Sequence, residues 1–122
     1  MSERVGAHSI RIEPAAARVT VTVDGVKVAE SEAALVLHET GLPPRYYLPA
    51  HDVDRGVLRP SELHTTCPFK GEASYRSVEI DGATHRDVVW YYPDPIPEVA
   101  EIAGMMSFYP ERAQILVDGR PA

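Results

Sequence analysis

Strict alternation of apolar and polar residues marks positions 18–23, and a second short apolar run follows at positions 26–28. Between them lies Asp24-Gly25, a pair that favours a two-residue turn because both turn positions take a positive φ. The pattern predicts an antiparallel hairpin whose valines form one apolar face. Its two predicted cross-strand pairs are Val23 with Val26 and Val21 with Val28.

A second hairpin is predicted where residues 73–80 and 83–92 flank Asp81-Gly82. Because side chains alternate between the two faces of a strand, the predicted register gathers aromatic rings on one face. The expected members of this face are Tyr75 opposite Val88, Ala73 opposite Trp90, and Tyr92, with the face running back toward Gly71, Lys70 and Cys67. The other face is expected to carry Val78 and His85.

The remaining predicted elements are short. Pro97 at a first helical position and Gly104 just beyond the last predict one helix over residues 97–103. Its predicted apolar side consists of Val99, Ile102 and Ala103. Further strands are expected at 8–12, 106–109 and 114–117, residues 34–38 fit a strand or a short helix, and short helical turns are expected near Asp52 and Ser61. The predicted fold is mainly β: a small antiparallel β-barrel or sandwich with one short helix.

Length and composition fit one compact domain over residues 1–122. The single cysteine excludes an intramolecular disulfide, and no apolar run approaches the ~20 residues that cross a bilayer. The first residues lack the apolar core of a secretory signal, so we expect a cytoplasmic protein without a membrane partner. The formal net charge is -6 and no basic stripe occurs, so nucleic acid is not an expected partner.

Aromatic residues and prolines are concentrated in the later part of the chain. All nine aromatic residues lie at positions 46–109, and nine of the eleven prolines lie at positions 43–110. Three segments there combine rings, prolines and polar groups, namely residues 44–53, 65–75 and 90–95. We expect the functional chemistry in these segments.

Cys67 is the first candidate for chemistry. The proline after it disfavours a regular helix and Gly71 permits a tight turn, so Cys67 and Lys70 are expected on an ordered loop that leads into a strand. A nearby cation such as Lys70 favours the reactive thiolate, and His64 is the candidate base for catalysis. The alternative is a small, buried, inert side chain. The sequence leaves both interpretations open.

The aromatic residues also have two interpretations. They pack in the core and along sheet edges, or they form the wall of a pocket in which cations hold a planar or anionic small molecule. The pocket interpretation assigns ligand contacts to eight residues: Arg45, Tyr47, Asp52, Thr66, Cys67, Lys70, Tyr75 and Trp90.

Neither a metal site nor a cofactor is expected from the sequence. His64 and Cys67 supply two potential zinc ligands, whereas zinc takes four and the chain has no second cysteine. Asp52, Asp54 and Glu62 do not have the spacing of a calcium loop. The sequence also lacks the glycine motifs that bind phosphate and the G-x-S-x-G nucleophile elbow.

A set of short motifs spans nearly the whole chain. They are Ala29-Glu-Ser31 with Leu35 and Glu39, Tyr47-x-Pro49 with Asp52-Val53, Thr66-Cys-Pro-Phe-Lys-Gly71 with Ala73 and Tyr75, Trp90-x-Tyr92-Pro93 with Pro95, and Phe108-Tyr109. With these motifs the chain resembles the family called domain of unknown function 427. The resemblance implies a compact, mostly β, bacterial or fungal domain without an established activity. That family carries a nucleotidyltransferase-like label, but this sequence lacks the Gly-Ser and paired-aspartate pattern of metal-dependent nucleotide transfer.

Three functions follow as hypotheses. The first is a module that binds a small anionic or aromatic molecule through the cations and rings around one loop. The second is a structural or interaction protein, such as a homodimer, in which the loop stabilises a sheet corner and Lys70 pairs with a carboxylate such as Asp52. The third is an enzyme in which Cys67 is the nucleophile or redox thiol. Whether the protein is an enzyme stays open at this point.

Overall fold

The computed structural model describes residues 8–122, in which eleven strands form three antiparallel sheets joined by short 3₁₀ turns. The strands are β1 (Ile10–Pro14), β2 (Val19–Val23), β3 (Val26–Ser31), β4 (Leu35–Glu39), β5 (Arg45–Tyr47), β6 (Leu58–Cys67), β7 (Gly71–Ile80), β8 (Ala83–Tyr91), β9 (Met106–Phe108), β10 (Gln114–Val117) and β11 (Arg120–Pro121).

The three sheets have the strand orders β1-β4-β5, β11-β10-β2-β3 and β6-β7-β8-β9. Leu48, just after β5, and Met106 in β9 exchange two backbone hydrogen bonds of 2.8 Å, which join the first sheet to the third. The strands of residues 8–122 do not close into a barrel and are arranged like a sandwich. The mainly β prediction is therefore confirmed in its sandwich form.

The first hairpin forms as predicted at its turn and departs from the prediction further along. Asp24 and Gly25 have φ values of 52° and 79°, and Val23 pairs with Val26. Val21 pairs with Ala29 instead of the predicted Val28, because Val28 is the extra residue of a β-bulge. The bulge lets Val28 and Ala29, which are neighbours in sequence, both be buried.

The second hairpin also turns at Asp81-Gly82, and Val78 pairs with His85 as predicted. Beyond that point an irregularity displaces the register by two residues, so Tyr75 pairs with Trp90 and not with Val88. The predicted pairing of Ala73 with Trp90 is wrong for the same reason. Ala73, Tyr75, Trp90 and Tyr92 keep their predicted face, because the faces of a strand alternate with a period of two. The predicted face of Val88 is wrong, since Val88 is buried with the valines on the other side of the sheet.

The predicted helix over residues 97–103 is wrong. Pro97–Ile102 forms 3₁₀ turns interrupted at Val99, whose φ of -125° and ψ of 30° are not helical. Seven residues with a proline at the start make too few hydrogen bonds to sustain an α-helix. Val99 and Ile102 are buried as predicted, whereas Ala103 is exposed.

The positions of the smaller elements match their predicted positions to different degrees. The helical turn near Asp52 exists as Ala50–Asp52, but the one expected near Ser61 lies at Arg55–Val57, and Ser61 is inside β6. The segment predicted as a strand or a short helix at 34–38 is a strand, β4, shifted by one residue to Leu35–Glu39, and β10 has the predicted bounds. β1 begins two residues later than predicted and β9 ends one residue earlier.

Two hydrophobic clusters lie on opposite faces of the third sheet. The first is built from valines of β2, β3, β7 and β8, and it packs the second sheet against the third. The second is aromatic, and it includes Leu37, Tyr47, Ala73, Tyr75, Trp90, Tyr92, Val99 and Ile102. Among the described residues, no helix has the length and apolar character that a bilayer crossing requires.

Candidate functional site

A row of side chains runs across four neighbouring strands on the aromatic side of the third sheet. The bridge between Leu48 and Met106 brings Tyr47 of β5 beside Ser107 of β9. Ser107 in turn pairs with Trp90 of β8, and Trp90 pairs with Tyr75 of β7. We call this side of the sheet, with Tyr47, Ser107, Trp90 and Tyr75, the aromatic face. All four residues are buried.

Tyr47 and Trp90 form the centre of the aromatic face. The indole Nε1–H of Trp90 donates a hydrogen bond of 3.1 Å to the hydroxyl of Tyr47, and the rings meet edge to face at 6.2 Å. Burial raises the pKa of Tyr47 to about 12, although the hydrogen bond from Trp90 acts in the opposite direction. The phenol is therefore protonated at neutral pH and fixes the orientation of the indole.

Arg45 lies at the rim of the same face, two residues before Tyr47. Its guanidinium carbon is 5.5 Å from the centroid of the Trp90 ring, and the ring of Tyr109 contacts the indole at a centroid distance of 4.4 Å. Within residues 8–122, no carboxylate lies within 4.0 Å of the Arg45 guanidinium. A half-buried cation that is held by a π-system and has no counter-ion in residues 8–122 is suited to accept an anion.

Tyr75 and Tyr109 continue the polar lining of the aromatic face. Their hydroxyl groups are 3.3 Å apart, and the Tyr75 hydroxyl is also 2.8 Å from Oγ1 of Thr65. Burial, together with the neighbouring Tyr75, raises the pKa of Tyr109 far above its ordinary value of 10.0. Ser107 adds a hydroxyl that is buried and has no hydrogen-bond partner among the described residues.

Cys67 and Lys70 lie at the two ends of the turn between β6 and β7. The backbone N–H of Lys70 donates to the carbonyl of Cys67 at 3.2 Å, and the Lys70 ammonium lies 3.6 Å from the Cys67 sulfur. Lys70 is only 8% exposed, and its Nζ donates to Oε1 of Glu39 at 2.6 Å. The other oxygen of Glu39 is 2.8 Å from Nε2 of His8. We call Cys67, Lys70, Glu39 and His8 the Cys67 cluster.

Lys70 is neutralised by Glu39. The sequence-based prediction that Lys70 pairs with Asp52 is wrong. Burial raises the pKa of Glu39, but hydrogen bonds and charge from Lys70 and His8 outweigh it, so the pKa lies below its ordinary value. Both members of the pair are almost fully buried. Removing either partner would leave an isolated charge, at a cost of about 3–5 kcal/mol.

The turn that carries the Cys67 cluster is held by the segment around Pro95. The backbone N–H of Ile96 donates to the carbonyl of Lys70 at 2.9 Å. Gly71 has a φ of 117°, and a Cβ at this position would lie 3.4 Å from the Cα of Pro95. Gly71 is therefore favoured by its backbone conformation, while an added Cβ would make only an ordinary contact with the segment around Pro95.

The Cys67 cluster borders the aromatic face. Cys67 is half-buried and packs against the aromatic cluster that contains Tyr47, Trp90 and Tyr92. The pKa of Tyr92 is raised well above 10.0, first by burial and then by the neighbouring Tyr47 and Cys67. The structure thus brings together six of the eight residues assigned to ligand contacts: Arg45, Tyr47, Cys67, Lys70, Tyr75 and Trp90.

Three candidates from the sequence lie elsewhere. Alternation along β6 places His64 and Thr66 on the face opposite Cys67, and Nδ1 of His64 is 3.3 Å from the hydroxyl of Ser74. The described hydrogen-bond partner of the Cys67 sulfur is Lys70 and not His64. Asp52 lies on a 3₁₀ turn beside β3, where it faces His51 at 3.6 Å.

Sequence reasoning did not assign site roles to Glu39, Ser107 and Tyr109. Glu39 and Tyr109 were present in the motifs quoted for the family resemblance, which is the signal that could have added them. Ser107 has no sequence signal, because only its position between Tyr47 and Trp90 makes it part of the site. In the described part of the chain, no three His, Cys, Asp or Glu side chains are grouped so that they could hold a metal ion.

The fold and the site define a mainly antiparallel β-protein with an aromatic, cation-rimmed face beside a buried lysine–glutamate pair. A family model described as domain of unknown function (DUF427) matches residues 11–119, so the chain belongs to this family. None of the curated proteins compared with the chain matches it.

Proposed function

We propose that the protein binds a small, planar, anionic molecule next to Arg45. The observation that carries the proposal is the Arg45 guanidinium, which stacks over Trp90 at 5.5 Å and has no carboxylate partner among residues 8–122. A guanidinium presents a planar fork of donors that fits a carboxylate or a phosphate. The proposal accounts for the combination of a cation and aromatic rings at one rim.

Space for the body of such a ligand lies in a groove that Arg45 borders. The groove has a volume of about 310 Å³, which is at the lower end of the range for small-molecule sites. Its walls are mostly apolar and include Pro44, Tyr46, Phe108 and Pro110. Tyr46 and Phe108 pack with the first hydrophobic cluster, on the side of the sheet away from Trp90. We therefore expect the negative group of the ligand at Arg45, at the sheet edge, and its flat, apolar part in the groove beyond that edge.

The rings of Tyr47 and Trp90 have an indirect role in this proposal. Both are buried and pack against each other, so they support Arg45 from the inside instead of lining open space. Ligand binding that withdraws the guanidinium would change the surroundings of the indole. Because Trp90 is the one tryptophan of the chain, its fluorescence reports this change without interference from other tryptophans.

The test is a fluorescence titration with benzoate as the anionic aromatic probe and benzamide as its neutral counterpart. We expect a saturable change of Trp90 emission with benzoate and a much weaker effect with benzamide. In Arg45→Gln the affinity for benzoate should fall about tenfold or more, because a hydrogen bond to a charged group contributes roughly 1.5–3 kcal/mol.

The matched control for this titration is Arg55→Gln, which removes an exposed cation on the 3₁₀ turn Arg55–Val57, away from the residues that line the groove. It should bind benzoate like the unmodified protein, and thermal melts should show that both variants are folded. The proposal is refuted if benzoate gives no saturable signal, or if Arg45→Gln binds benzoate as well as the control does.

A further inference from the structure

We infer that Cys67 and Lys70 form a reversible covalent sulfur–nitrogen bond, a sulfenamide, when the protein meets a hydroperoxide. The inference concerns the Cys67 cluster and does not depend on ligand binding at Arg45. It rests on the pair of side chains at the ends of one turn, whose Sγ and Nζ atoms are 3.6 Å apart. The ligand class is therefore a peroxide that oxidises the sulfur.

The geometry holds the amine against the sulfur. The turn hydrogen bond from Lys70 N–H to the Cys67 carbonyl fixes the two backbones, and burial restricts the lysine side chain. Cys67 itself is half-buried, so a molecule as small as a peroxide reaches its sulfur. Because the chain has no second cysteine, a sulfenic acid formed here has no intramolecular thiol to condense with.

The reaction balances in two steps. First, the thiolate attacks one peroxide oxygen; an S–O bond forms, the O–O bond breaks, the sulfur is oxidised to sulfenic acid and the other oxygen leaves as water after protonation. Second, the Lys70 amine attacks the sulfur; an S–N bond forms, the S–O bond breaks and the hydroxyl leaves as a second water. In sum, a thiol, an ammonium group and hydrogen peroxide give the sulfenamide, two waters and one proton.

Glu39 has the position needed to take the proton that Lys70 must lose before it attacks. Its Oε1 accepts the hydrogen bond from Nζ at 2.6 Å, and its other oxygen is held by His8 at 2.8 Å. Glu39 is thus a positioning residue that also faces the reacting nitrogen. Once the bond has formed, Lys70 is neutral, and Glu39 keeps its hydrogen bond with His8.

The experiment treats the reduced protein with hydrogen peroxide and measures intact mass, followed by peptide mapping. The unmodified protein should become lighter by the mass of two hydrogen atoms, with residues 67 and 70 joined, and dithiothreitol should reverse the change. In Lys70→Arg the same treatment should leave a sulfenic acid that dimedone traps, since the arginine is not expected to attack the sulfur.

Lys27→Arg is the matched control, because Lys27 is the other lysine of the chain and lies exposed at β3. This variant should form the bond as the unmodified protein does. Glu39→Gln should form it several-fold more slowly while the thiol is still oxidised, which separates proton transfer from a loss of folding.

Two results would overturn the inference. One is an unmodified protein in which dimedone traps as much sulfenic acid as in Lys70→Arg. The other is oxidation that leads only to sulfinic acid or to disulfide-linked dimers, with no peptide joining residues 67 and 70. Benzoate titration of the same samples reports on Arg45 separately, so failure of one proposal does not resemble failure of the other.

Discussion

The indole N–H of Trp90 and the hydroxyl of Tyr47, which are 43 residues apart in sequence, form a buried hydrogen bond of 3.1 Å between two different sheets. This contact fixes the tryptophan on which Arg45 stacks. It also joins β5 to β8 across β9, so that the rim and the centre of the aromatic face are held next to each other.

Tyr47→Phe tests the importance of that hydrogen bond for stability. The substitution keeps the ring but leaves the buried indole N–H without an acceptor, so the free energy of unfolding should fall by about 1–3 kcal/mol. Urea unfolding followed by Trp90 fluorescence measures the change. Tyr46→Phe, at the half-buried neighbouring position, is the control and should be close to neutral. Equal losses in both variants would contradict the assigned contact.

Glu39→Gln tests the buried ion pair. Leaving Lys70 without its counter-ion should cost about 3 kcal/mol near neutral pH, the lower end for a broken buried pair. The pKa of Glu39 is lowered in the folded state, so its contribution to stability is present above the ordinary value of 4.5 and is lost as the pH falls through the lowered pKa. Urea unfolding at a series of pH values should therefore show the two proteins converging in acid.

The control for this prediction is Glu32→Gln, which breaks the exposed pair with Arg18. Exposed ion pairs contribute about 0–1 kcal/mol, so this variant should be nearly as stable as the unmodified protein. A Glu39→Gln variant with the same small loss, or with an unchanged difference in acid, would show that the pair does not stabilise the fold.

Alkaline pH should destabilise the protein through its buried phenols. The pKa of Tyr47 is raised to about 12, and those of Tyr92 and Tyr109 are raised further, all mainly by burial. A raised folded-state pKa means that stability is fully present below the unfolded value of 10.0 and is lost as the pH rises beyond it. Absorbance titration should show three late phenols, which titrate together with unfolding.

Tyr92→Phe provides the internal check on the alkaline prediction. The variant should lose one of the late phenols and should retain more of its stability above pH 10.0 than the unmodified protein does. A titration in which all phenols ionise together near that pH would contradict the burial of the aromatic face.

Gly71→Ala tests the positive φ in the turn of the Cys67 cluster. An alanine here adopts an unfavourable φ of 117°, whereas its Cβ would meet Pro95 Cα only at an ordinary contact distance of 3.4 Å. The free energy of unfolding, measured by urea unfolding, should therefore fall by the backbone penalty of about 1–2 kcal/mol. Gly41→Ala, at φ 80° with open space around it, should lose a similar amount. A Gly71→Ala variant as stable as the unmodified protein would contradict the assigned backbone conformation.

Local signals predicted the hairpins well because their turns are encoded in two adjacent residues. Asp24 and Asp81 both take the positive φ that an Asp-Gly turn requires. The bulges at Val28 and near Asp87 were not predictable in the same way, since a bulge follows from what both strands must pack against. The 3₁₀ turns at Pro97–Ile102 likewise result from packing and not from local helix signals.

The sequence singled out several residues that lie together in the structure, but it did not predict which of them pair. Arg45, Cys67 and Trp90 were chosen for their chemistry, and they do lie around one cluster. The partner of Lys70 was not predictable, because Glu39 is 31 residues away and reaches it only through the order of the strands. Ser107 was not predictable either, because only the strand pairing shows that it lies between Tyr47 and Trp90.

The two-residue displacement in β8 has a consequence for sequence variation at this hairpin. Two extra residues around Asp87 leave Trp90 on the aromatic side, and Val88 and Val89 both lie with the valines. A β-bulge can also absorb one extra residue, as Val28 does in the first hairpin. Insertions in this strand should therefore be tolerated around Asp87, where the pairing is already irregular, and rejected between Val89 and Trp90, where they would turn the indole away from Tyr47.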